Sequence, residues 1–138
     1  NAKIRSYIIN YKKNSASEKK LLKILSSNKI NLVCLAGFMQ VLSKKFIVNF
    51  NKPILNIHPS LLPKYKGLNT HRRVLKNGEK YSGATVHLVS EKLDSGRIIL
   101  QKKTKISKSE NYNTLEKKIL KIEHKLYPEA IEKLIFNL

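Results

Sequence analysis

The sequence has few cysteines, few acidic residues and no long apolar run, and each shortage excludes a class of protein. A single cysteine, Cys34, excludes an internal disulfide. No apolar run approaches the length that spans a bilayer and no segment resembles a signal peptide, so we expect a cytoplasmic protein without a membrane partner. No pair of histidines or cysteines has metal-ligand spacing, so no metal site is expected. The 138 residues suit one domain with a hydrophobic core.

Acidic residues are outnumbered by basic ones, with 9 Asp+Glu against 28 Lys+Arg and a net charge of +19. Such a field attracts polyanions, including nucleic acids, anionic lipids and phosphorylated metabolites. The lysines are scattered over every segment, however, and no arginine-rich helix, RNP-like aromatic pattern or zinc-finger spacing accompanies them. The sequence therefore disfavours a nucleic-acid partner. A basic binding module with a degenerate enzyme fold stays as the alternative from a different functional class.

Strand-like and helix-like patterns alternate along the chain. Strands are predicted over residues 4–9, 31–37, 53–58, 83–90 and 98–106. Helices are predicted to begin near Ser15, Ser43, Thr70 and Asn113, with Glu18 and Glu116 at capping-box spacing from the first and last, and Pro128 is predicted to open a separate final turn. The continuous apolar run at 31–37 is typical of a strand buried on both faces, with Cys34 as apolar filler. The alternation predicts an α/β domain with a parallel sheet and an antiparallel edge.

The stretch NIHPSLLPKYKGLNTH (residues 56–71) ends a predicted strand on two polar side chains. Asn56 and His58 point to the same side of the sheet, at the carboxyl end of the strand, where ligands of open α/β sheets bind. An asparagine amide can donate to a developing oxyanion, and a histidine can change its charge near neutral pH. Together they suit the addition of a nucleophile to a carbonyl. A structural, hydrogen-bonding histidine is the commoner role of such a position.

A third group is needed to set the charge of the histidine. Asp94 lies in the turn LDSG between two predicted strands, and a carboxylate near an imidazole favours its charged, proton-donating form. The residue pattern alone does not bring Asp94 to His58, and LDSG is also a good turn without any chemistry.

Four blocks of the sequence resemble the phosphoribosylglycinamide formyltransferases, folate-dependent enzymes of purine synthesis. The blocks are LAGFMQVLS (35–43), NIHPSLLPKYKGLNTH (56–71), GATVHLVSEKLDSGRIILQ (83–101) and EHKLYP (123–128), in this order and at these separations. The resemblance implies a Rossmann-like, mostly parallel sheet with an antiparallel strand near the carboxyl end. It also implies transfer of a formyl group from 10-formyltetrahydrofolate to the primary amine of glycinamide ribonucleotide.

The resemblance assigns the catalytic roles. His58 matches the general acid, and Asn56 matches the amide that holds the formyl oxygen and contacts the folate. Asp94 matches the carboxylate that keeps the histidine charged and orders a water molecule for proton transfer.

The resemblance also assigns the binding residues. Met39, Gln40, Val41 and Leu42 match the segment that binds the pterin, largely through backbone groups. Gln40 replaces the basic residue common there, which should be a mild change if the backbone makes the contact. Glu123 matches the acid that reaches the substrate ribose, although a solvated glutamate on a helix face is an equally ordinary role.

The other histidines are given less weight. His87 is predicted to face away from Ala84 and Val86, where it either supports the site or is merely packed. His71 follows the loop at a helix entry, where a cap or a surface role is adequate. His124 is expected to face solvent on an amphipathic helix.

One departure from the family is large. The family opens with a strand and a Gly-rich turn into a helix that cradles the substrate phosphate, and this sequence has no such motif. We therefore expect residues 1–138 to be a formyltransferase domain truncated at its amino end, lacking the first strands and helix. One side of the sheet would then be uncovered, which leaves room for a homodimer.

Three rival functions stay open beside formyl transfer to glycinamide ribonucleotide. A formyltetrahydrofolate deformylase of the same fold would use water as the nucleophile. A formyltransferase acting on an aminoacyl-tRNA or a sugar nucleotide is the next alternative, and the basic nucleic-acid-binding module is the third. The loop PKYKGLNTH favours glycinamide ribonucleotide over these.

Overall fold

The computed structural model of the protein describes residues 4–11 and 15–136. Its elements follow the predicted alternation of helices and strands. In chain order they are α1 (Ser15–Ser27), β1 (Val33–Leu35), α2 (Lys44–Phe50), β2 (Ile54–His58), α3 (Thr70–Lys76), β3 (Tyr81–Leu88), β4 (Ile98–Lys105) and α4 (Tyr112–Ile135).

The four strands form one sheet in the order β1-β2-β3-β4. Strand β1 pairs with β2 in parallel, whereas β3 pairs antiparallel with both β2 and β4. Strands β1, β2 and β4 therefore run in one direction, and β3 alone runs against them. The predicted α/β, Rossmann-like fold with one antiparallel strand near the carboxyl end is confirmed.

The main core lies between the sheet and α4. Leu55 of β2 and Val86 of β3 pack against Leu115 and Ile119 of α4, and all four side chains are fully buried. The predicted alternation in β3 is confirmed, since Val86 and its neighbour of the same parity, Ala84, belong to this core. In the part of the chain that the structure describes, no helix is long and apolar enough to cross a membrane.

The start of α4 differs from the predicted one. Asn111 is the N-cap: its side chain accepts a hydrogen bond from the Thr114 amide at 3.0 Å, and the Thr114 hydroxyl accepts one from the Asn111 amide at 2.9 Å. The capping box predicted between Asn113 and Glu116 is therefore wrong. A threonine hydroxyl closes the box here, so the glutamate rule points to the wrong pair.

Helix α4 also continues through Pro128, so the predicted separate final turn is wrong. A proline inside a helix removes one hydrogen bond and crowds the preceding turn, at a cost of about 3 kcal/mol. The apolar face of α4 continues past the proline with Leu126, Ala130 and Leu134, all buried in the core. Packing of this face offsets the local cost, as tertiary contacts commonly do for helices.

A second, smaller core lies around α2. Leu42, Phe46, Phe50 and Ile54 are buried there, and the apolar face of α1 packs against them. Ser43 caps α2 as predicted, because its hydroxyl accepts a hydrogen bond from the Phe46 amide at 3.0 Å. Helix α1 begins at Ser15 as predicted, but the carboxylate of Glu18 bonds elsewhere, as described below.

Two predictions at the β1 side of the sheet are wrong. Residues 4–9 form no strand, and Ile4 and Ile8 are 83% and 95% exposed. Strand β1 covers only Val33–Leu35, and Cys34 is exposed rather than a buried filler. In the described chain β1 pairs with β2 alone, so its other edge has no strand against it, and this leaves Cys34 exposed.

Candidate active site

The candidate site lies on the face of the sheet opposite α4, where β2 and β3 meet. Asn56 and His58 project from β2, and the antiparallel register sets His87 of β3 opposite Asn56 and Thr85 opposite His58. Because partners in register share a face, the four side chains converge. Asn56 and His58 thus lie on one side of the sheet, and His87 and Thr85 are their neighbours on that side.

His58 is buried, and both of its ring nitrogens face acceptors. Nε2 lies 2.8 Å from the backbone carbonyl oxygen of Tyr65, and Nδ1 lies 3.4 Å from Oδ2 of Asp94. A carbonyl and a carboxylate can only accept hydrogen bonds, so the doubly protonated ring satisfies both contacts. Each ring nitrogen of His58 therefore has a hydrogen-bond acceptor beside it.

Asp94, the only aspartate in the sequence, is brought to His58 by the turn before β4. Its Oδ2 accepts a hydrogen bond from the Gly67 amide at 2.8 Å, and Oδ1 lies 3.6 Å from Nε2 of His87. Burial raises the pKa of the Asp94 carboxyl, but hydrogen bonds from His87 and the Gly67 amide and the positive charge of the two histidines outweigh it, so the pKa is lowered. Asp94 is therefore ionised at neutral pH.

His87 connects the amide and the carboxylate of the site. Its Nδ1 lies 2.9 Å from the carbonyl oxygen of Leu88, to which it donates. Its Nε2 lies 3.3 Å from Nδ2 of Asn56 and 3.6 Å from Oδ1 of Asp94. Nδ2 of Asn56 carries two hydrogens, so the amide can still donate to a ligand. His87 thereby orients the Asn56 amide.

The loop after His58 is fixed by buried and partly buried hydrogen bonds rather than by regular structure. The Thr85 hydroxyl accepts from the Leu62 amide at 3.1 Å and donates to the Ser60 carbonyl at 2.6 Å. The Gln101 amide donates to the same hydroxyl at 2.8 Å and to the Leu62 carbonyl at 3.0 Å. These bonds fix the loop that carries the Tyr65 carbonyl and the Gly67 amide against His58 and Asp94.

The predicted folate segment, Met39–Leu42, follows the carboxyl end of β1. Its position beside the site comes from the sheet, because the last residue of β1, Leu35, pairs with Asn56. Met39 and Val41 are 70% and 48% exposed, whereas Leu42 is buried in the smaller core. The segment offers backbone groups and exposed apolar side chains to a ligand.

Glu123 lies on α4 and not in the cluster around His58. It lies one helical turn before Tyr127. The Tyr127 hydroxyl donates to the carbonyl oxygens of Leu35 at 2.7 Å and Leu55 at 3.2 Å. Glu123 is half-buried, and it has no hydrogen-bond or ion-pair partner among the residues described. Burial raises the pKa of its carboxyl to about 7. An unpaired carboxyl of this kind is free to bind a polar ligand.

The two remaining histidines, His71 and His124, differ in exposure. His71 is buried, so the expected cap or surface role is wrong. Its ring packs edge-on against Tyr112 at 6.0 Å, and its Nδ1 has no partner in the described chain. His124 faces solvent as predicted. Within residues 4–11 and 15–136, no group of three or more His, Cys, Asp or Glu side chains could hold a metal ion.

Sequence reasoning missed part of the site. It left His87 either supporting the site or merely packed, although the alternation of β3 already put it on the face away from the core. It could not find the Tyr65 carbonyl or the Gly67 amide, because backbone groups carry no residue signature. Thr85 and Gln101 gave no signal either, since their contacts depend on the path of the loop.

A family model described as "Formyl transferase" matches residues 3–131. A phosphoribosylglycinamide formyltransferase of Haemophilus influenzae is 44% identical over 108 residues, which cover 78% of this chain and 51% of that protein. The human trifunctional purine biosynthetic protein adenosine-3 is 43% identical over 109 residues, covering 79% of this chain and 11% of that protein. The chain thus spans about half the length of the Haemophilus protein.

Solved structures agree with these matches. The phosphoribosylglycinamide formyltransferase of Brucella melitensis is 43% identical and has a TM-score of 0.83, covering 91% of this chain and 64% of that chain. The enzyme of the same name from Bacillus halodurans is 35% identical and has a TM-score of 0.85, with the same coverage. The resemblance drawn from the sequence blocks is confirmed.

Proposed function

Since this chain belongs to the formyl transferase family, we propose that it takes part in transferring a formyl group from 10-formyltetrahydrofolate to the amine of glycinamide ribonucleotide. The reaction would be a step of purine biosynthesis in the cytoplasm. One observation carries the proposal: His58 lies between an acceptor carbonyl and the ionised Asp94, with the Asn56 amide on the same face. The names of the similar proteins and structures support it.

In the proposed mechanism, the substrate amine attacks the formyl carbon and negative charge develops on the formyl oxygen. The free hydrogen of the Asn56 amide and the Nε2–H of His58 stabilise that charge. In the structure this Nε2 lies 2.8 Å from the Tyr65 carbonyl oxygen, so the formyl oxygen competes with this carbonyl for the hydrogen when the donor binds.

Collapse of the tetrahedral intermediate breaks the bond between the formyl carbon and N10 of the folate. The amine loses one proton and N10 gains one, so the transfer is balanced without another reactant. A water molecule ordered by Asp94 is suited to carry the proton, because the carboxylate is ionised and lies beside His58. The general acid is thus kept charged by Asp94.

Donor and acceptor occupy different parts of the proposed site. Residues 39–42 bind the pterin of the folate beside the carboxyl end of β1, and the unpaired carboxyl of Glu123 binds the ribose of glycinamide ribonucleotide. Exposed apolar side chains in the first case and an unsatisfied acceptor in the second support this division.

The site for the substrate phosphate is proposed to come from polypeptide outside residues 1–138, as part of the same gene product or as a separate chain. The free edge of β1 and the partial coverage of the similar proteins support this proposal. A homodimer across the same edge is the competing arrangement. Chromatography with light scattering, on the chain with and without the remaining part, distinguishes the two.

Binding experiments test the proposed class of function. A 5-deazafolate analogue should bind the full-length gene product in calorimetry. His58→Ala should lower turnover far more than it weakens binding of the analogue. The opposite result would contradict the proposed role of His58. The same protein should bind duplex or single-stranded DNA weakly and only at low salt. Tight DNA binding with no folate binding would move the protein to the class of basic nucleic-acid-binding modules.

A further inference from the structure

Glu18 on α1 is bonded to Ser43, the residue that follows the proposed folate segment (residues 39–42). Its carboxylate accepts a hydrogen bond from the Ser43 amide at 2.8 Å and another from the Ser43 hydroxyl. The same carboxylate accepts from the Tyr11 hydroxyl at 2.7 Å. Burial raises the pKa of Glu18, but the bonds from Ser43 and Tyr11 lower it by more, so the group is ionised at neutral pH. Charge-assisted bonds of this kind are the stronger ones.

The other end of the segment is held from the same side of the molecule. The Tyr11 ring packs edge-on against Phe38, with the ring centroids 5.4 Å apart. Phe38 precedes the segment and Ser43 follows it. Glu18 and Tyr11, which are bonded to each other, therefore bracket residues 39–42 at both ends.

Between these anchors the segment has little to fix its shape. Residues 39–42 belong to no helix or strand, and no backbone hydrogen bond joins them to the rest of the described chain. Only Leu42 is buried, while Met39 is 70% exposed. The path of the segment is thus set by the contacts at its two ends and by one buried side chain.

We propose that Glu18 is a positioning residue, which holds residues 39–42 in the conformation that accepts the folate donor. This inference rests on the proposed function, because it takes these residues as the folate segment. In this role Glu18 acts through its bonds to Ser43 and Tyr11 rather than by contact with the donor. Its loss should raise the dissociation constant and the KM for the donor, while the rate of the chemical step at saturating donor stays close to that of the wild type.

The test compares Glu18→Gln with Glu110→Gln in the full-length gene product. Glu110 is the control, a glutamate far from the segment that also bonds a serine: its carboxylate accepts from the amide and hydroxyl of Ser107, both at 3.3 Å, and it forms an ion pair with Lys118 at 2.9 Å. The measured quantities are the affinity for a 5-deazafolate analogue, the kinetic constants for the donor, and amide hydrogen exchange without ligand. Glu18→Gln should weaken binding of the analogue about tenfold, as expected for losing a bond to a charged group. It should also speed exchange at residues 39–43 but not in β3.

A second variant tests whether Glu18 acts through Ser43, whose hydroxyl also caps α2. Ser43→Ala removes the hydroxyl that Glu18 binds. In the Ser43→Ala protein, Glu18→Gln should therefore weaken binding of the analogue by less than the tenfold expected in the wild type. Unchanged affinity in a folded Glu18→Gln protein, or an equal loss in Glu110→Gln, would overturn the inference alone. Failure of the wild type to bind the analogue would overturn the proposed function and the inference with it.

Discussion

Two segments meet at the carboxyl end of the sheet, and they are held in opposite ways. The loop after His58 is fixed by hydrogen bonds to Thr85, Gln101 and Asp94, which are buried or partly buried. Residues 39–42 are largely exposed and are fixed mainly at their ends. We call them the catalytic loop (residues 59–67) and the folate segment (residues 39–42).

The difference matches the roles proposed for the two segments. A group that transfers a proton or stabilises a charge needs its partners within a few tenths of an ångström of the productive position. A segment that binds a ligand mainly through its backbone can complete its order when the ligand arrives, and such segments come from the less stable parts of a fold. Substitutions in the catalytic loop should therefore lower kcat, and those in the folate segment should raise KM.

The largest effect is expected for Asp94→Asn, which removes the charge beside His58. Turnover should fall by something on the order of 10²-fold or more, as is typical for losing a general acid. The fold should persist, because Asp94 has a left-handed backbone with φ of 45°, which asparagine adopts readily. Steady-state kinetics and circular dichroism measure the two effects. Glu91→Gln, in the same turn and in an exposed ion pair with Lys44, is the control and should keep near-wild-type turnover.

A smaller loss is expected for Thr85→Val, which keeps the shape of the side chain but removes the hydroxyl that fixes the catalytic loop. The buried Leu62 amide would lose its partner, at a cost of about 1–3 kcal/mol in the free energy of unfolding. The loop should shift and kcat should fall by roughly tenfold, with little change in the donor KM. Thr104→Val on β4, where the threonine side chain has no hydrogen bond in the described chain, is the control. A raised KM with unchanged kcat would contradict the division between the two segments.

The next prediction concerns Glu123 and pH. Burial raises the pKa of its carboxyl from 4.5 to about 7, so the neutral form is favoured in the folded protein. The stability that comes from this neutral form is present below pH 4.5 and is lost as pH rises through about 7. Glu123→Gln, which cannot ionise, should therefore gain stability relative to the wild type as pH rises from 5 to about 8. Chemical denaturation at both pH values measures this.

If ionised Glu123 binds the ribose, the KM for glycinamide ribonucleotide should fall as pH rises through about 7 in the wild type. The Gln variant should lose that part of the pH dependence. Glu132→Gln, an exposed glutamate later in α4, serves as the control. A pH profile that is identical in the wild type and Glu123→Gln would remove Glu123 from the substrate site.

The smallest effect is expected for Met39→Ala in the folate segment. The side chain is 70% exposed, so the stability of the protein should hardly change. Loss of apolar contact with the donor should raise its KM by a few-fold, with kcat unaffected. Val48→Ala, an exposed apolar residue on α2, is the control and should alter neither constant. A fall in kcat without a rise in KM would place Met39 with the catalytic loop instead.

The same contrast explains how far the sequence could predict the structure. The strand that ends in Asn56 and His58 follows from its apolar run and the prolines after it. Its neighbour Asp94 was identified by resemblance, and the structure brings it to 3.4 Å from His58. Local patterns are enough for an element whose residues decide its own conformation.

The errors occurred where burial depends on other elements. The apolar run around Cys34 has the pattern of a buried strand, yet its exposure is decided by what lies against the edge of β1. His71 was expected near the surface, and it is buried because Tyr112 at the start of α4 packs on it. The role of His87 depends on the register between β2 and β3, which residue types alone do not fix.

The fate of the formyl carbon tests the central claim most directly. The full-length gene product would be given 10-formyltetrahydrofolate labelled with carbon-13 at the formyl group, together with glycinamide ribonucleotide. Nuclear magnetic resonance would follow the label. The account predicts that the label appears in the amide of formylglycinamide ribonucleotide, that formate stays a minor product, and that Asp94→Asn slows this transfer. Label recovered chiefly as formate, at a rate that does not depend on the amine, would contradict the account.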